Sequence, residues 1–192
     1  RLAYISTPHR GLDVLIAAFR AAKFENVELD VYSSFKIYGW EGKDDDWKPL
    51  YDACRETPNV NYHGTVSNEE IRTALQQTHI LAYPCTYKET GCISAIEAMS
   101  AGCVVVCPNI GVLPETCANF AWMYGYCEEK SDHAKKFAYV LKDAIDNFWE
   151  APVQAGLAFQ KQYFDMHYDI DTTAKQWTLM LETIKNSLEK KS

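Results

Sequence analysis

"HILAYPCTYKETGCISAIEAMSAGCVVVCP", residues 79–108, passes from one apolar run through a polar loop into a helical pattern and out into a second apolar run. HILAYP (79–84) and CVVVCP (103–108) carry apolar residues at consecutive positions, the pattern of strands covered on both faces in a parallel sheet. The same alternation extends outward. RLAYIS (1–6), VELDVYS (27–33), VNYHG (60–64) and FAWMYG (120–125) read as further strands. GLDVLIAAFRAAKF sets Leu12, Leu15, Ile16 and Phe19 on one helical face, and SNEEIRTALQQ offers Ser67 as an N-cap with Glu70 three residues on, a capping box. Strands alternating with helices over short connections predict an α/β fold, a doubly wound parallel sheet of about six strands with helices on both faces.

After residue 130 helical patterns take over. SDHAKKFAYVLKDAIDNFW begins at Ser131, an N-cap candidate. DTTAKQWTLMLETIKNSL carries Trp177, Leu181, Ile184 and Leu188 as an apolar stripe. Such a stripe is expected to pack on its own domain, with docking onto a missing second domain as the alternative. The whole, 1–192, reads as one domain: an α/β core over 1–130 and carboxy-terminal helices over 131–192.

A chain of 192 residues, 47% hydrophobic and 23% charged, is long enough to bury one substantial core. Its net charge of −7 argues against a general nucleic-acid surface but permits a local basic pocket for phosphate. Seven cysteines without a C-x-x-C pair read as reduced, mostly buried thiols of a cytoplasmic protein, and no zinc or other metal site is expected. The acids Asp44, Asp45 and Asp46 read as a solvated surface run. No apolar run is long enough for a transmembrane segment. Because the chain opens at Arg1 directly on a strand, it is expected to be a piece of something longer.

In an open parallel sheet, ligands bind beyond the carboxyl ends of the strands. That rule selects STPHRG, HGTVSN, PCTYKETGC and PNIGVLPET. In the first, His9 and Arg10 precede a helix start, an outline anion site. In the third, Glu89 ends the loop and Thr90, Gly91 and Cys92 turn into a helix that carries Glu97, whose carboxylate can face the same cleft. A Glu within AIEAMSAG is expected to be buried and partnered. Two carboxylates beside an anion-binding turn suit a ligand with both phosphates and hydroxyls, such as a sugar nucleotide.

ETGCISAIEAMSAGCVVV resembles the E-x7-E region of retaining GT-B glycosyltransferases, in particular glycosyltransferase family 4. HRGLDVLIAAF, VNYHGTVSNEEI, ILAYPCTYKE and GVLPET resemble, in order, further motifs of that family over roughly residues 1–117. The resemblance implies a Rossmann-like, donor-binding GT-B half and transfer of a sugar from a nucleoside diphosphate, UDP above others, with retention and with no obligatory cofactor. It implies that Glu89 contacts the donor sugar, that Glu97 binds the ribose hydroxyls, and that Arg10, standing where the family has Lys, neutralises the diphosphate. Amides of Gly91, Cys92 and Ile93 would face phosphate or sugar. Gly64 and Thr65 would border the nucleotide, and Glu115 would lie behind the site. The family's second cation, an Arg after the first strand, has no counterpart beside Ser6 and Thr7, and His9 is the candidate to replace it. Cys92 and Cys85 replace the usual Gly and Ser, and neither has partners for nucleophilic catalysis. The acceptor, a glycan or other molecule, would bind a missing amino-terminal domain, so the isolated chain should transfer weakly or not at all. Another GT-B enzyme, an epimerase or a phosphorylase, and a non-catalytic nucleotide-sugar-binding module remain alternatives.

Overall fold

Six strands form one parallel sheet in the order β3-β2-β1-β4-β5-β6, seen in a computed structural model that describes residues 1–189. They are β1 (Leu2–Ile5), β2 (Leu29–Tyr32), β3 (Val60–Tyr62), β4 (Ile80–Ala82), β5 (Val104–Asn109) and β6 (Trp122–Gly125). The chain winds outward from β1 to β3, then crosses back to lay β4 on the other side of β1, with Leu2 in register with both Leu29 and Ile80. Winding therefore reverses between β1 and β4, and a crevice opens there beyond the strand ends.

Helices connect the strands: α1 (Leu12–Ala22), α2 (Lys48–Glu56), α3 (Asn68–Leu75), α4 (Ile93–Ser100), the single turn α5 (Leu113–Thr116), and then α6 (Lys130–Asn147), α7 (Ala151–His167) and α8 (Ile170–Glu189). The expected capping box is present, with Ser67 Oγ accepting from Glu70 N and the Glu70 carboxylate accepting from Ser67 N. At α6 the expectation is off by two residues. Glu129, not Ser131, is the N-cap, and its carboxylate accepts from the amides of Ser131 and Asp132. A glutamate reaches those amides as well as a serine would, and its charge suits the positive helix end.

Val104, Val105, Val106 and Cys107 are all buried, as consecutive apolar residues must be in a strand flanked by two others and covered on both faces. Behind the crevice, α7 closes the far end of α4. Buried Gln160 donates to the carbonyls of Met99 (3.3 Å) and Cys103 (2.9 Å), and Lys161 Nζ donates to that of Ser100 (2.7 Å). These bonds tie α7 to the last turn of α4 and to the residue that precedes β5.

The carboxy-terminal stripe departs from expectation. Trp177, Leu181, Ile184 and Leu188 are 57, 57, 48 and 63% exposed, and α8 contains no buried residue. The core takes Phe137 and Leu141 from α6 and Phe164 from α7, and no residue of α8. Six of the seven cysteines are buried, Cys127 is half-buried, and all seven are free thiols. Among the described residues no helix is long and apolar enough to cross a membrane.

Candidate functional site

The crevice at the β1/β4 reversal is a cleft of about 360 Å³. Arg10, Glu89, Glu97, Gly91, Cys92, Ile93, Gly64 and Thr65 all line it, so sequence stretches up to 87 positions apart meet at one place because each follows a strand of the same sheet.

Glu89 is the most constrained of them, at 7% exposure. One carboxylate oxygen, Oε1, accepts from Tyr83 Oη at 2.7 Å and from the Cys85 thiol at 3.8 Å, and lies 2.9 Å from Arg10 Nε. The Arg10 N–H is turned off the line to Oε1, so this contact is an ion pair by distance and not a directed hydrogen bond. Oε2 takes no protein partner among the described residues. The backbone of Glu89 is fixed too: its carbonyl accepts from Val112 N at 3.0 Å. A Cβ on Gly111, whose φ is +58°, would stand 2.8 Å from that carbonyl oxygen, so the approach of the two loops requires glycine.

Arg10 comes from the short turn Pro8–Arg10 after β1. Gly11 follows at φ +96°, and a Cβ there would lie 2.0 Å from the Pro84 carbonyl oxygen; glycine is what lets the β1 and β4 loops touch. The guanidinium also donates through Nη1 to Tyr38 Oη (3.3 Å) and Thr7 Oγ1 (3.5 Å), and stands 5.5 Å from the centre of the Tyr87 ring. Burial works against its charge, but Tyr38 and Glu89 outweigh that and hold its pKa above the ordinary value. Arg10 is the only Lys or Arg among the described lining residues.

Opposite, Cys92 is the N-cap of α4 and no side chain among the described residues makes a cap hydrogen bond there, so the leading amides and positive dipole end of the helix lie at the cleft. Ser94 Oγ donates to the Ile5 carbonyl at 2.8 Å and ties that first turn to the end of β1. Glu97 departs from expectation: it is half-buried, and its carboxylate has no protein partner among the described residues. Its place on the cleft wall, not in the core, accounts for the difference. Burial pushes the Cys85 thiol up to about 11 and the Cys92 thiol up to about 12, leaving both protonated near neutral pH and poor nucleophiles.

His9 does not line the cleft. Its ring stacks on Phe35 at 5.4 Å and meets the edge of Tyr87 at 5.8 Å, because successive residues of a tight turn point in different directions. Burial, then the charge of Arg10, lowers its pKa, which disfavours the charged imidazolium. Glu115 is exposed and outside the lining as well.

Sequence reading missed the partners that orient the ionic pair. Tyr83 reads as an ordinary apolar strand residue, yet its hydroxyl, kept protonated by burial, fixes Glu89. Tyr38 sits on the 3₁₀ turn Phe35–Tyr38, and Asp44 holds that segment in place. Its carboxylate accepts from Ser34 Oγ (2.5 Å), Phe35 N (2.9 Å) and Tyr51 Oη (2.6 Å). Asp44 is thus no part of a solvated acidic run, a correction to the sequence reading that follows from these three donors. Burial raises its pKa, but the bonds from Ser34, Tyr51 and Phe35 more than offset this and leave it lowered. Its stabilising contribution is then present above the unfolded carboxylate value of about 4 and is lost as pH falls through the lower folded value. Denaturant unfolding of Asp44→Asn should show lower stability than wild type near pH 6, with the gap closing toward pH 3.

The sequence profile of the family described as "Glycosyl transferases group 1" matches residues 6–156. Among curated proteins, the O-antigen chain mannosyltransferase B of Escherichia coli is 28% identical over 165 residues, 83% of this chain and 41% of that protein. Among solved structures, Anabaena Alr3699/HepE in complex with UDP superposes with a TM-score of 0.73 at 18% identity, over 95% of this chain and 48% of that one. The sucrose-phosphate synthase (tll1590) of Thermosynechococcus elongatus does so with a TM-score of 0.73 at 16% identity, over 97% and 45%. The same Anabaena protein has also been solved with UDP-glucose. The chain spans less than half the length of these relatives, and its six-stranded parallel sheet with a helical carboxy-terminal segment has the fold of one half of a GT-B protein. The chain belongs to the glycosyl transferases group 1 family.

Proposed function

We propose that this chain is the donor-binding half of a retaining glycosyltransferase that takes its sugar from a nucleoside diphosphate, UDP above others. The observation that carries this reading is Glu89, whose Oε1 is held by Tyr83, Cys85 and Arg10 while Oε2 remains open to the cleft. A carboxylate fixed on one oxygen and free on the other is preorganised to accept from a sugar hydroxyl. The unpartnered carboxylate of Glu97 suits ribose hydroxyls in the same way. UDP as the nucleotide is supported by its presence in the Anabaena neighbour.

As the anomeric bond breaks, positive charge develops on the sugar and negative charge on the departing diphosphate. Arg10, joined by the amides of Gly91, Cys92 and Ile93 at the start of α4, would stabilise that diphosphate as donors already in position. Arg10 would leave Glu89 for phosphate, an exchange eased by their poorly directed contact. The acceptor would attack from the face the leaving group vacates, which retains configuration without an enzyme nucleophile. Gly64 and Thr65 would border the nucleoside. Acceptor binding would fall to an amino-terminal GT-B domain, so this chain alone should bind donor but transfer poorly. The free thiols support a reducing, cytoplasmic setting.

A thermal-shift panel of UDP, GDP, ADP and their sugar conjugates tests the reading. The right nucleotide at a hundredfold excess over its Kd should stabilise by about 2.7 kcal/mol, several degrees for a chain of this size. No shift with any nucleoside diphosphate would refute it.

A further inference from the structure

We propose that the Ser33 hydroxyl is a recognition group for the nucleoside end of the donor; the inference rests on the reading of the cleft as a nucleoside-diphosphate site. Ser33 follows β2 and lines the cleft, and it is 2% exposed. Its Oγ is buried and has no hydrogen-bond partner. Buried hydroxyls are hydrogen-bonded with few exceptions, so one without a partner beside a cleft calls for a partner that the protein does not supply. Two neighbouring polar groups are committed elsewhere. Ser34 Oγ bonds Asp44 and the Lys36 amide, and Tyr62 Oη donates to the carbonyl of Ser33 itself at 2.7 Å. Neither of these neighbours bonds to Ser33 Oγ.

Its position in the sheet says which part of the ligand it meets. Arg10 follows β1 and Glu89 follows β4, so phosphate and sugar lie over that pair of strands. β2 is on the other side of β1, beside the β3 loop with Gly64 and Thr65. A donor with its diphosphate at Arg10 and its sugar toward Glu89 extends its nucleoside toward Ser33. A hydroxyl both donates and accepts, which matches a base edge carrying carbonyl oxygens beside an N–H, as uracil does. The oxygen is closed off in this rotamer, and meeting the ligand requires χ1 to turn to another of its staggered wells.

Calorimetric titration of wild type and Ser33→Ala with UDP and with inorganic pyrophosphate tests this. Ser33→Ala should weaken UDP at least fivefold and leave pyrophosphate binding unchanged. Its melting temperature without ligand should hold or rise, since an unsatisfied buried hydroxyl has been removed. Unchanged UDP affinity would overturn the inference while leaving the donor-site reading intact. Equal weakening of UDP and pyrophosphate, or a lower melting temperature, would overturn it as well, by making the hydroxyl a phosphate contact or a structural group. Wild-type chain that binds no UDP would remove the donor-site reading and this inference with it.

Discussion

Arg10→Ala, made in the full-length protein, should weaken UDP binding about 10–100-fold and lower kcat/KM further still. A hydrogen bond to a charged group contributes about 1.5–3 kcal/mol, and each 1.4 kcal/mol is a factor of ten in Kd. Two features of the cleft push the effect toward the upper end. Arg10 is the only Lys or Arg among the described lining residues, and His9, the candidate second cation, is packed between Phe35 and Tyr87 away from the lumen. Removing the guanidinium also leaves the Glu89 carboxylate facing the diphosphate without a counter-charge. Because leaving-group charge grows toward the transition state, loss of a preorganised donor there costs about 10²–10³-fold in turnover. Arg10→Lys should recover part of the affinity, since it restores charge, but not the contacts that Nη1 makes with Tyr38 and Thr7. Titration calorimetry and steady-state kinetics on the three proteins check both quantities.

Glu89→Gln should split binding from transfer. The amide keeps an acceptor for Tyr83 Oη, so the loop holds its shape. The loss of negative charge releases Arg10 and removes a repulsion between the carboxylate and the diphosphate. UDP, which lacks the transferred sugar that Glu89 would hold, should bind as tightly as in wild type or a few-fold tighter. Transfer from the sugar nucleotide should fall about 10–100-fold, the worth of a charged hydrogen bond to the sugar. The variant should also be less stable, by less than the roughly 3–5 kcal/mol lost when one member of a fully buried ion pair is removed, because the Arg10 side chain is 21% exposed. A variant that loses UDP affinity in step with activity would mean that Glu89 acts only by shaping the cleft.

The parts of this site that were legible in the sequence share one property: their signals are local. Consecutive apolar residues such as Val104–Val106 announce a strand buried on both faces, and Ser67 with Glu70 announces a helix start three residues away. Arg10 and Glu89 were legible because each stands just past a strand end, where chain winding puts ligands. What stayed hidden depends on contacts between distant segments. Tyr38 is 28 positions from Arg10, and nothing in FKIYGW says that its hydroxyl reaches the guanidinium. Asp44 looks like one acid among three until the three donors that converge on it are seen. His9 adjoins Arg10 in the chain, but Phe35 and Tyr87, from two other loops, decide where its ring goes. The stripe on α8 was visible, yet whether the core takes it up depends on how all the helices pack, and the core takes residues of α6 and α7 and none of α8.

The central claim is an exchange of partners: Arg10, paired with Glu89 in the ligand-free protein, moves to the diphosphate when the donor arrives. A crystal structure with UDP-sugar bound tests it most directly. Guanidinium nitrogens are expected on phosphate oxygens, Glu89 Oε2 on a sugar hydroxyl and Glu97 on the ribose. Diphosphate bound away from the start of α4, with Arg10 still on Glu89, would contradict it.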